Sequence, residues 1–122
     1  MAKGKEIGEF SHRFTSVTWL PGPAGSTLAQ VNWEGTATGF GTVLSTTTFT
    51  HGKSGTFSFN GAAFLENGDM LTGVANGGFE SIGVNRWKTT AVVHVSDGSK
   101  LGSEGEIDLA KRTWSGKLFE WT

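Results

Sequence analysis

The chain has 122 residues, no cysteine, and ten basic against eleven acidic side chains, for a net charge of -1. That length supports a single domain over residues 1–122 with one hydrophobic core. The lack of cysteine excludes disulfides, thiolate catalysis and Cys-ligated metal centres, and the balanced charge argues against nucleic-acid binding, which needs a basic surplus.

The N-terminal stretch Met1–Phe10 is rich in Lys, Glu and Gly and has no apolar leader, which points to a cytoplasmic protein, although a chain trimmed of a signal would look the same. No run approaches the ~20 apolar residues of a membrane-spanning helix. From there the chain alternates strand-like runs, rich in Thr, Val, Phe and Trp, with short Gly-containing breaks. Eight strands are predicted, near Ile7–Leu20, Thr27–Thr38, Thr42–Thr50, Thr56–Leu65, Met70–Gly77, Val84–Ser96, Leu101–Leu109 and Thr113–Trp121. Between the first two, Pro21-Gly22-Pro23-Ala24-Gly25 reads as a longer loop, because proline cannot donate to a sheet ladder. Gly39-Phe40-Gly41, the His51–Gly55 segment, Asp97-Gly98-Ser99 and Ala110-Lys111-Arg112 supply short connections. Asn67-Gly68 suits a type I′ hairpin turn with positive φ at both central residues.

Strands joined by tight turns are antiparallel neighbours, and a meander of eight leaves two exposed edges unless it closes. The predicted fold is therefore all-β, an eight-stranded antiparallel up-and-down barrel; a two-sheet sandwich is the alternative. Alternation assigns the faces. Ala29, Val31, Trp33, Gly35 and Ala37 share one side of the second strand; Phe57, Phe59, Gly61, Ala63 and Leu65 share one side of the fourth. Trp87, Thr89, Ala91, Val93 and Val95 form the inner side of the sixth, and Gly105, Ile107 and Leu109 that of the seventh. Gly35, Gly61, Gly105 and Gly116 fall on inner faces, where strands bend to close a small barrel. The first and last strands are apolar on both sides, which suggests that a second copy covers an outer face; Phe64, Phe79, Phe119 and Trp121 would form such a patch in a homo-oligomer.

If Phe10 and Phe14 point inward so does His12, and if Gly116 and Leu118 do, so does Glu120. Closure brings the first and last strands together, so His12 and Glu120 are candidate acid/base residues, against the plainer reading of a rim ion pair or no contact. Trp33 and Trp87 are candidates to line a ligand pocket. Thr72 and Asn76 would add polar points to it, unless Leu71, Gly73 and Ala75 take the inner side instead. Arg86, Lys88 and His94 form a basic row that reads as a solvated outer face. His12, His51 and His94 are too dispersed for a local metal motif, so no metal and no cofactor is predicted.

The central run Gly52-Lys53-Ser54-Gly55-Thr56-Phe57-Ser58-Phe59 resembles the turn and middle strand of the small barrels related to allene oxide cyclase, in particular bacterial members without an assigned function. That resemblance implies an oligomeric barrel with a hydrophobic, fatty-acid-derived ligand in its lumen; it carries no catalytic residue onto this chain. Thr113-Trp114-Ser115-Gly116 is similar to a stretch of the avidin-type biotin binders, although their Gly-Thr-Trp N-terminal strand is missing here. Three functions are therefore expected in turn: a barrel binding a small, largely apolar molecule, an isomerase or cyclase acting on one, and an interaction protein with a filled barrel. Neither nucleic acid nor membrane is an expected partner.

Overall fold

A computed structural model describes residues 3–50 and 52–122. The chain forms eight strands: β1 (Lys3–Pro21), β2 (Thr27–Ala37), β3 (Gly41–Phe49), β4 (Ser54–Phe64), β5 (Met70–Gly83), β6 (Arg86–Val95), β7 (Lys100–Asp108) and β8 (Thr113–Trp121). Each pairs with its sequence neighbours in antiparallel register, and β1 pairs with β8, so the sheet closes as an up-and-down barrel. A short 3-10 turn, Pro23–Gly25, follows β1, whose last residue Pro21 still pairs with Thr27 and so lies in the strand rather than in the loop expected there.

The inner faces follow the alternation of the sequence. Phe10, Val31, Trp33, Phe57, Phe79, Val95, Leu101, Ile107, Trp114 and Leu118 are buried in one core cluster. The first strand is apolar on both sides for a local reason. A bulge at Thr15 puts Phe14 opposite Trp33 and Ser16 opposite Asn32. The extra residue flips the parity, so Phe10, His12 and Phe14 point inward before it and Val17, opposite Val31, packs into the core after it.

The last strand has a different explanation. Trp114 and Leu118 are buried inside, while Phe119 and Trp121 lie outside and are half-buried against the chain itself. The Lys3 ammonium sits 4.5 Å from the Phe119 ring centre, and the Trp121 ring covers Gly102, where an added Cβ would come within 3.0 Å of it. Of the patch expected to meet a second copy, Phe64 is exposed but Phe79 is interior, stacked edge-on to Phe49 at 5.4 Å. Phe79 is interior because β5 continues past Gly77-Gly78 to Gly83, held by ladders to β4 and β6.

The Asn67-Gly68 connection differs from the expected type I′ turn. Only Gly68 has positive φ, and its N–H donates to the Leu65 carbonyl at 3.0 Å. The loop is a tight turn ending in a left-handed glycine, and the Asp97-Gly98 connection repeats it, with Gly98 N–H donating to Val95 O at 2.9 Å.

Candidate functional site

The barrel interior divides into two halves along its axis. The half below the β1–β2, β3–β4, β5–β6 and β7–β8 connections is filled by aromatic rings. Trp33 meets Trp114 at 5.4 Å and Phe14 at 6.3 Å, Trp114 meets Phe57 at 6.0 Å, and Phe57 stacks on Phe49 at 5.3 Å. Two completely buried threonines hold the indoles. Trp33 Nε1–H donates to Thr47 Oγ1 at 2.9 Å, and Trp114 Nε1–H donates to Thr89 Oγ1 at 3.0 Å. Each indole nitrogen, costly to bury alone, thus has a partner from the inner face of another strand.

The other half holds a cavity of about 90 Å³ that runs toward the β2–β3, β4–β5 and β6–β7 turns. Its wall is built from small and aliphatic residues, among them Val43, Ala63, Leu71, Ala75, Ala91 and Val93. Phe10, His12 and Trp114 form its floor, where the cavity meets the aromatic half. Phe40, half-buried in the β2–β3 turn, stands at its mouth between Gly39 and Gly41, both with positive φ. Among the described lining residues, hydrogen-bonding side chains belong to His12, Thr72, Ser103 and the already bonded Trp114.

His12 is 5% exposed. Its ring is flanked by Phe10 at 5.4 Å and Trp114 at 5.3 Å, and its strand neighbours are Gly35 and Trp114. Gly35 is required there: a Cβ would lie 2.0 Å from the Ser11 carbonyl oxygen and 2.7 Å from His12 Nδ1. Burial without a charged partner lowers the imidazole pKa from 6.5 to about 4, so His12 is neutral near pH 7. Its Nδ1 has no hydrogen-bond partner, and neither has the buried Ser45 hydroxyl on β3.

The structure does not bring Glu120 to His12. His12 lies opposite Trp114 near the start of β8, whereas Glu120 lies near its end, opposite Leu101, and is exposed at the rim against Gly4. Its alternation is inward, but the strand has by then passed the packed interior. Trp33 is buried in the aromatic half and Trp87 packs at its edge; neither borders the cavity. Thr72 and Asn76 are exposed on the outer side of β5, with Leu71, Gly73 and Ala75 turned to the lumen. Thr72 touches the cavity only from that outward position. Pleating leaves no other choice, since the two sets alternate and the apolar one gains by burial.

Arg86 lies on the outer face as expected, where its guanidinium contacts Glu106 at 2.6 Å and its pKa is raised by that carboxylate. His94 is exposed on the same face, and His51 lies outside the described residues. Phe40, Ala63, Ala75, Ala91 and Ser103 escaped the reading of the sequence as site residues. Small inward residues clustered near one set of turns were the available signal. Comparison with known proteins finds no matching family model, no matching curated protein and no matching solved structure.

Proposed function

We propose that this barrel binds a small, largely apolar molecule in the open half of its lumen. The observation that carries the reading is the void itself. The same eight strands fill one half of the interior with aromatic rings and leave about 90 Å³ empty in the other. At ~24 cal/mol per Å³, that void costs about 2 kcal/mol, a large share of the marginal stability of a domain this size. Larger aliphatic residues at Ala63, Ala75 or Ala91 would fill it. A site for a ligand accounts for their being small.

The volume limits the ligand. A dry apolar cavity of about 150 Å³ accepts benzene, and drug-sized ligands occupy roughly 300 Å³ or more. At about 90 Å³ this lumen is smaller than that, so it suits a short alkyl chain or a ring inserted in part, with the rest of the molecule projecting past Phe40. It is therefore smaller than the allene oxide cyclase resemblance implies for a whole fatty-acid-derived ligand. A cofactor-independent isomerase acting in the same cavity is the second reading, favoured only by His12 on its floor.

The test is toluene titration followed by NMR of the alanine methyl groups. Shifts concentrated at Ala63, Ala75 and Ala91, and at least tenfold weaker binding in Ala63→Leu with the fold intact, are the expected result. No shift at these methyls near toluene saturation would overturn the proposal. Native mass spectrometry of freshly purified protein, followed by denaturing extraction, then identifies the class of any molecule retained.

A further inference from the structure

The lumen has a largely apolar wall, with the Ser103 hydroxyl in it, and one unsatisfied ring in its floor. His12 is 5% exposed, borders the cavity, and has Nδ1 without a hydrogen-bond partner. Nothing in the packing demands a polar ring there. Its neighbours Phe10, Trp114 and Gly35 offer it aromatic faces and a backbone Cα, and a phenylalanine or leucine would meet them as well. An unpaired buried nitrogen costs stability, so a partner supplied by a ligand recovers what the empty barrel forgoes. Nδ1 lies over Gly35, 2.7 Å from where a Cβ would stand, and the ring borders the cavity, so a ligand meets the imidazole from the lumen side.

We infer that the lumen selects a neutral ligand carrying a hydroxyl or carbonyl group on its buried end, which hydrogen-bonds the His12 imidazole, over a pure hydrocarbon or a carboxylate. A neutral imidazole has one N–H donor and one nitrogen acceptor, so it serves either a hydroxyl or a carbonyl. A carboxylate is refused because no cation faces the floor to offset its desolvation; Phe10, Trp114 and Gly35 are all uncharged. The bound molecule would thus sit polar end first. This deepens the proposal of luminal binding and rests on it.

The test compares phenol, toluene and benzoate, near-isosteric molecules that differ in one group, by NMR titration at pH 7. The measured quantity is the ratio of phenol to toluene affinity in the natural protein and in His12→Leu. It is expected to fall roughly tenfold in the variant, because the phenol hydroxyl is left without a partner. An unchanged ratio overturns the inference while leaving luminal binding standing. A second readout needs no variant: phenol, but not toluene, should shift the His12 imidazole ¹⁵N resonance. Equal shifts with both ligands, or benzoate binding as tightly as phenol, also overturn it. Should none of the three bind, luminal binding itself fails and this inference with it.

Discussion

The two halves of the barrel use the same strands and the same hydrogen-bonded ladders, yet one is a solid aromatic plug and the other a cavity. The difference lies in side-chain size at inward positions. Trp33, Phe49, Phe57, Phe79 and Trp114 fill the first half, while Val43, Ala63, Ala75, Ala91 and Val93 line the second. An eight-stranded barrel is just wide enough either to be filled or to hold a small ligand. This chain is filled in one half and keeps a cavity in the other. Burial of these rings makes the plug the expected seat of stability, which would let the open half keep its void.

The sharpest way to break that division is to remove the ring that joins the halves. Trp114→Ala deletes the floor of the cavity and the centre of the plug, and it orphans the buried Thr89 hydroxyl. A loss of about 3–5 kcal/mol is expected in urea unfolding, clearly more than for Val95→Ala at the cavity wall. Equal losses would show that the plug is not where stability resides.

Acid attacks the boundary next. His12 has a folded pKa of about 4 against 6.5 for the unfolded chain. Above pH 6.5 both states hold a neutral ring and the full contribution is present. Between pH 6.5 and 4 the unfolded chain takes up a proton that the native state refuses, so stability falls as pH drops and the loss levels off below 4. The total is about 3 kcal/mol at 1.36 kcal/mol per unit. Urea midpoints at pH 7 and pH 4 should therefore converge in His12→Leu relative to the natural protein. A parallel fall in both would place the titration elsewhere. Within the plug, Thr47→Val leaves the Trp33 indole N–H unpaired and should cost about 1–3 kcal/mol, read as a lower urea midpoint.

Much of this was legible in the sequence, for a definite reason. A strand has a period of two, so the inner sets of β2, β4, β6 and β7 could be read directly, and the regular turn spacing implied the meander. The parity of β1 could not be followed throughout, because the Thr15 bulge leaves no mark in composition. Alternation also says whether a residue faces in or out, never how far along the barrel it lies. Height is set by strand tilt and register, which come from pairing. Alternation thus puts Trp33 on the inner face without showing that it lies in the plug, and Glu120 has inward parity but emerges at the rim. His12 could be placed on the inner face, but its unpaired Nδ1 became visible only once Phe10, Gly35 and Trp114 were seen around it.

The register of β1 also bears on how the barrel avoids sticking to itself. Its ladder with β2 begins at Phe10, whereas its pairing with β8 reaches back to Lys3. Glu9 still bonds Thr38 through its N–H and its carbonyl, so the stretch before it is a short strand edge left over from closure, the kind of template on which other chains can add strands. It carries Lys3, Lys5 and Glu6 beside Ile7, all exposed, and its register with β8 slips on both sides of Glu6. An incoming strand would meet charge of both signs and an irregular backbone. That overhanging edge is thereby made a poorer seed for aggregation beside an open apolar lumen.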